Sequence, residues 1–248
     1  MTGRGVFVTL DGPGGVGKST VKAAVADQLR HAGRAVYATR EPTDTPLGSL
    51  ARHGTDEYRG MAMACLIAAD RYQHLTTGIR PALERGDVVV CDRYVASSLV
   101  LQVVDGVDRD VVWDLNRHAD PPDLSVFLTA HPDVIAERLA RRGAHSRYER
   151  LPESSLIEFG LYAEAATFLT DRGARVLVLD TTSTGPDGLA RTIAGEIIAM
   201  QTRGSLDGRA DVQPQQPLPG ARGEATPLPG GASGAGARAD GDGAQRGV

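Results

Sequence analysis

Between Asp11 and Thr20 the chain reads Asp-Gly-Pro-Gly-Gly-Val-Gly-Lys-Ser-Thr, a set of residues suited to holding phosphate. Gly12, Gly17, Lys18 and Ser19 fit the pattern GxxxxGK[ST], in which a Gly-rich turn aims successive backbone N–H groups at phosphate oxygens. Lys18 adds a compact point charge on a flexible stem. Lys18 and Lys22 are the only lysines in a chain that otherwise draws its positive charge from arginine. Gly12, Pro13, Gly14, Gly15, Val16, Gly17, Lys18, Ser19 and Thr20 therefore form the candidate cradle.

Asp92 closes the apolar run Val88-Val89-Val90-Cys91, where a carboxylate can hold Mg2+ beside a phosphate-bound Ser19. An acid there also caps a following helix, which is the competing reading. Arg40, Arg71 and Arg93 stand at strand ends or on a helix passing the same region, and guanidinium binds phosphate in planar, bidentate fashion. The segment 143–152, with Gly143 as a hinge and Arg147 and Arg150 among the arginines following Arg138, Arg141 and Arg142, has the composition of a lid. Such a lid brings charge to a transferring phosphoryl group and excludes water. The six histidines show no ligand spacing and receive no role.

Alternating elements must position these groups. Val6–Leu10 is a β-branched run suited to a buried parallel strand, followed by a helical period through Val21, Val25 and Leu29 that Gly33 closes. Further strands are expected over Ala35–Thr39, Asp87–Asp92, Leu124–Leu128 and Arg175–Leu179. Helices are expected over much of Glu57–Arg85, from Pro132 to Arg142, up to about Arg172, and from Pro186 to Met200. Strands alternating with helices make a doubly wound α/β sheet: five parallel strands with helices on both faces, the P-loop NTPase arrangement, plus the Arg-rich lid. Asp92 and Arg93 then arrive beside the phosphate loop, since ligands bind outside the carboxyl ends of such strands.

A net charge of −4 over 248 residues argues against a broad nucleic-acid footprint. No apolar run reaches membrane-spanning length and no leader pattern opens the chain, so a cytoplasmic location without membrane contact is expected. Cys65 and Cys91 lie in apolar surroundings and read as buried free thiols in a reducing compartment. Residues 1–203 read as one domain. Residues 204–248 contain no aromatic residue, are rich in Gly, Ala and Pro, and read as a disordered tail.

Taken together, the residues resemble the thymidylate kinases among nucleoside monophosphate kinases. The resemblance is carried by Leu10-Asp11-Gly12 through Thr20, Arg40-Glu41-Pro42 with Pro46-Leu47-Gly48, Ala68-Ala69-Asp70-Arg71 with Gln73-His74, Asp92-Arg93-Tyr94 with Ser97-Ser98, Pro122-Asp123-Leu124, and Arg147-Tyr148-Glu149. It implies ATP-dependent phosphorylation of a pyrimidine (deoxy)nucleoside 5′-monophosphate, most simply dTMP to dTDP, with small-molecule nucleotides as partners and a homodimer by analogy. Under that resemblance Lys18, Arg93 and Arg147 are catalytic, with Arg147 closing over the donor, and Ser19 and Asp92 hold Mg2+. Arg40, Ile67, Arg71, Arg93, Ser98 and Leu101 would bind the acceptor, with Arg71 facing the base.

Three positions depart from the family pattern. Ile67 stands where a stacking Phe is usual, Gly14 where the loop usually carries an acid, and Leu101 where a Tyr is usual. They open one alternative, a kinase for a modified pyrimidine nucleotide; a nucleotide-binding regulator that keeps the fold without turnover is a separate one.

Overall fold

Short β-branched runs bounded by glycine or acidic residues become the five strands of one sheet: β1 (Phe7–Asp11), β2 (Val36–Arg40), β3 (Val88–Asp92), β4 (Leu124–Thr129) and β5 (Val176–Asp180). The computed structural model describes residues 4–143, 146–150 and 153–210. All strand pairs are parallel, in the order β2-β3-β1-β4-β5. The expected five-stranded parallel sheet is therefore present. β1, β3 and most of β4 are fully buried, which accounts for their continuous apolar character, whereas the edge strands β2 and β5 are half exposed.

Alternation along the strands divides the core in two. Val8, Leu10, Val88, Val90, Val126 and Leu128 face helices α1 (Lys18–His31), α7 (Pro132–Arg142) and α10 (Pro186–Ala210). Phe7, Val89, Cys91 and Phe127 face the other side, built from α3 (Gly60–His74), α4 (Arg80–Glu84), α5 (Val95–Val104), α6 (Arg109–Leu115) and α9 (Ser154–Thr170). Between α3 and α4 a π-helical stretch, Leu75–Ile79, widens the turn ahead of Pro81. It gives room to the carbonyl that the proline ring would otherwise meet.

Two short helices complete the chain's course: α2 (Pro46–His53), capped by the Thr45 hydroxyl, and the single turn α8 (Arg147–Arg150). Helices α2, α5 and α6 carry no clear signal in the sequence. α5 is rich in Val and Ser and buried on most sides, so its amphipathic period is lost. The closing helix α10 runs to Ala210 rather than Met200, and no proline after Pro186 interrupts it over that span. The remainder of the expected tail, 211–248, lies outside the described residues, as do 144–145 and 151–152 of the lid.

One expectation on burial is corrected. Cys91 is buried, but Cys65 is exposed, because Met63, Ala64 and Ala68 turn inward on α3 and leave Cys65 on the outer side. Among the described residues no helix is long and apolar enough to cross a membrane.

The loop after β1 leaves no room for a side chain at its first glycine. Gly12 adopts φ of 150°, and a Cβ on it would fall 2.3 Å from the carbonyl oxygen of Leu128 on β4. Backbone, which cannot yield cheaply, fills that space. Gly12→Ala is accordingly expected to cost about 3 kcal/mol or more of folding stability, read by chemical denaturation. Gly33→Ala, strained at φ of 73° but facing open space, should cost only about 1 to 2 kcal/mol.

Candidate active site

Pairing of β1 with β3 sets Leu10 beside Asp92 and so brings the loop 12–17 against the end of β3. Gly17 takes a left-handed conformation at the entry to α1, and the next residue, Lys18, turns back over the loop. Its Nζ donates to the carbonyls of Gly12 and Pro13 at 2.9 and 2.8 Å. Burial pushes the Lys18 amine down to about 7, with repulsion from Arg93 in the same direction; Asp92, Glu158 and Asp11 pull it up.

Ser19 Oγ donates to Asp92 Oδ2 at 2.6 Å, while Asp92 Oδ1 is buried with no hydrogen-bond partner among the described residues. A buried, unsatisfied carboxylate oxygen is costly unless something binds it. Together with the Ser19 hydroxyl it offers hard oxygen donors of the kind Mg2+ prefers. The residues present fit such an ion.

A cavity of about 1250 Å³ opens over these groups. Lys18, Ser19, Asp92, Arg40 and Arg93 all line it, as do Ile67 and Leu101 on helices α3 and α5. Gly15, Val16, Gly17 and Thr20 also lie on its wall, whereas Gly12 and Pro13 sit behind, receiving the Lys18 ammonium. Arg93 has φ of 71°, a strained value for a non-glycine residue, and its Nη1 donates to Tyr162 Oη at 3.1 Å. Burial opposes its charge, yet Tyr162, Asp92, Glu158 and Asp11 together raise its pKa, so Arg93 stays cationic.

Other expected residues lie elsewhere. Arg71 does not line the cavity: its side chain is 1% exposed and is consumed by Glu41, Asn116 and Ser98, with the guanidinium 5.0 Å from the Tyr94 ring centroid. Ser98 is the partner of that arginine rather than a wall residue. Arg147 is turned away from the phosphate loop; it donates to the Thr55 carbonyl and pairs with Asp105. Neighbouring positions explain this, since α8 docks on the segment before α3 while α7 faces the loop.

Several groups on this site carry no motif. From α7, Arg138 and Arg142 line the cavity. Arg138 binds Thr181 through both nitrogens at 2.9 Å, and Arg142 forks onto Glu149 at 2.8 Å. Arg52 of α2 adds a further guanidinium, with Nε buried and unpartnered among the described residues. Glu158 of α9, itself buried, accepts from Gly14 N–H at 2.9 Å. Tyr162, one helical turn on, reaches Arg93 and Ser97. An acid and a tyrosine four apart on one helix is the only signal the sequence held for that pair.

Gly14 itself finds an explanation. A Cβ at this position would stand 2.7 Å from Oε1 and 2.8 Å from Cγ of Glu149, so the carboxylate from α8 occupies the space that a loop side chain would take. The site thus gathers a Gly-rich turn, a lysine, a carboxylate with a free oxygen and several guanidinium groups in one cleft. Such a site binds two polyphosphate or phosphate groups and stabilises charge passing between them.

Known proteins bear on this arrangement. The family model described as thymidylate kinase matches residues 10–184. A thymidylate kinase of Leifsonia xyli subsp. xyli is 40% identical over 214 residues, covering 83% of this chain and 96% of the relative. One from Bordetella petrii is 43% identical over 157 residues, covering 60% and 75%, and one from Deinococcus radiodurans is 40% identical over 158 residues, covering 59% and 75%. The match extends from the end of β1 past β5 and so takes in the phosphate loop, Asp92, Arg93 and the lid: the chain belongs to the thymidylate kinase family, and is a nucleoside monophosphate kinase.

Proposed function

We propose that this protein transfers the γ-phosphoryl group of ATP to dTMP, giving dTDP and ADP. The observation that carries the reading is the convergence of Lys18, Ser19, Asp92, Arg40 and Arg93 on one cavity, in a chain of this family. The names of its relatives support the substrate.

In this mechanism the loop N–H groups from Gly15 to Ser19 and the Lys18 ammonium hold the donor's β- and γ-phosphates. Arg93 and Arg40 hold the acceptor phosphate; Arg93 is fixed in place by Tyr162, while Arg40, now paired with Asp44 at 2.6 Å, is exposed and free to turn. An oxygen of the acceptor phosphate attacks the γ-phosphorus as the bond to the β-phosphate oxygen breaks, and ADP leaves with that electron pair. The attacking oxygen is already anionic, so no side chain need remove a proton. Ser19 and Asp92 would hold Mg2+, which on binding neutralises charge on the phosphates. Arg138 and Arg142 flank the donor side, and the lid excludes water. A cytoplasmic location and a homodimer belong to the same reading, on the likeness to the family.

A second reading keeps the chemistry and changes the base. Met63, Ile67 and Leu101 give the acceptor wall aliphatic surface, and the buried Gln102 Oε1 has no partner among the described residues. Such a wall tolerates a substituent at the pyrimidine 5-position better than a stacked ring does, which favours a modified pyrimidine nucleotide as acceptor.

With ATP and Mg2+, a coupled ADP-release assay should register turnover of dTMP, and Asp92→Asn should lower kcat by about 100-fold or more. Absence of turnover with dTMP, dUMP, dCMP and 5-substituted monophosphates alike would reject the reading. A marked preference over dTMP for an acceptor whose 5-substituent is larger than methyl would select the second version.

Titration of Lys18 supplies another test. With the free amine near pKa 7, phosphate binding favours the ammonium and raises that pKa, so binding must take up protons above about pH 7 and cease to do so well below it. Calorimetry of a non-hydrolysable ATP analogue in buffers of different ionisation heat should show uptake at pH 8. Binding without uptake would show that Lys18 is already charged in the free protein.

A further inference from the structure

Asp105 follows helix α5 directly, and its side chain is only 2% exposed. A carboxylate so far removed from water needs several partners, and Asp105 draws them from different parts of the chain. Arg147 of α8 pairs with it, Tyr148 Oη donates to Oδ2 at 2.9 Å, and the backbone N–H of Gly60, the first residue of α3, points at the same oxygen at 3.3 Å. Arg147 also donates to the Thr55 carbonyl, and Arg150 pairs with Asp56. The single turn α8 is thus fastened to the chain entering α3, with Asp105 at the centre of the fastening.

The two helices that meet at Asp105 carry the acceptor side of the cavity: Met63 and Ile67 on α3, Leu101 and Gln102 on α5. On its other face the same turn presents Glu149, which packs on Gly14 of the phosphate loop and is gripped by Arg142. One short element therefore touches both halves of the site.

We propose that Asp105 is a positioning residue, a clasp through which closure of the 146–150 turn is coupled to the acceptor helices, so that acceptor and ATP bind with positive cooperativity. The inference rests on the kinase reading above. An acceptor braced against α3 and α5 stabilises the Asp105 carboxylate in the position where Arg147 and Tyr148 already hold it, and so favours the docked turn that keeps Glu149 and Arg142 at the donor side. By linkage, ATP tightens acceptor binding by the same factor. Arg147 acts in this scheme through Asp105 and not on the transferring phosphoryl group.

The test compares the affinity of the native protein for a non-hydrolysable ATP analogue with and without dTMP, and repeats the comparison for Asp105→Asn, which keeps shape and loses charge. In the native protein dTMP should tighten the analogue about fivefold or more, and in Asp105→Asn that ratio should fall towards one. ATP hydrolysis without acceptor, relative to phosphoryl transfer, should rise in the variant as water gains entry. A double-mutant cycle with Arg147→Ala should be strongly non-additive in the binding ratio. Should Asp105→Asn fail to fold, Tyr148→Phe, which removes one hydroxyl from the turn, decides on the same readouts. An unchanged ratio and unchanged hydrolysis, with only the melting temperature lowered, would assign Asp105 a purely structural part and overturn the proposal. So would an additive cycle in which Arg147→Ala alone abolishes transfer. Native protein that turns over dTMP without binding synergy refutes the clasp and leaves the kinase reading standing; synergy without turnover does the reverse.

Discussion

The arrangement depends on the buried carboxylate of Asp11. From the end of the central strand its Oδ1 accepts from the backbone N–H groups of Tyr94 and Ser97 and from the Ser97 hydroxyl, at 3.0, 3.0 and 2.7 Å. It thereby locks the turn leaving β3 to the residue that opens the phosphate loop. Burial raises its pKa, and the donors from Ser97 and Tyr94 with the charge of Arg93 work against that rise. Proximity to the amino end of α5 favours the negative charge. Because the turn is held this way, Arg93 is kept at a positive φ and Asp92 is delivered beside Ser19. Strain at one residue is tolerated because the surroundings over-determine it.

The cavity's charge follows from crowding. Lys18 and the arginines at 40, 52, 93, 138 and 142 face one another across a space sized for two nucleotides, and like charges at such range are unfavourable. Three responses are visible. Acids stand behind the cations, as Glu158 does for the loop and Glu149 for Arg142; one group, Lys18, yields its proton readily; and exposed arginines take local partners, as Arg40 does with Asp44. Phosphate placed among these cations relieves the repulsion, which favours its binding.

Behind the acceptor wall a second polar layer holds the backbone. Asp70 accepts from the Thr43 backbone and hydroxyl and from Thr45, fixing the loop before α2. Glu41 accepts from Arg71 and bonds His74, whose other ring nitrogen meets Thr39. Motif residues here serve as connectors between elements. Fully satisfied buried networks of this kind specify one arrangement of the chain, since breaking any member strands its partner.

The sequence by itself determined the strands, their parallel pairing in an α/β plan and the phosphate loop. Those features depend on local chemistry: continuous apolar runs, glycines suited to the loop's positive φ values, and a lysine and serine directly after Gly17. Asp92 and Arg93 were legible for the same reason, because a strand's end places its next residues. Tertiary structure alone decided which polar residues face the cavity. Arg71 and Arg147 look like ligand-binding arginines as letters, but the approach of Glu41, Asn116 and Ser98 to one, and of Asp105 and Thr55 to the other, turns both away. Arg138, Glu158 and Tyr162 have no local signature, since their distance from the loop is set by how α7 and α9 pack on the sheet. Gly14 shows the division within a single residue. Its small size was plain in the sequence, while the reason for it, a lid carboxylate lying across its Cα, exists only once residues far apart in the chain are folded together.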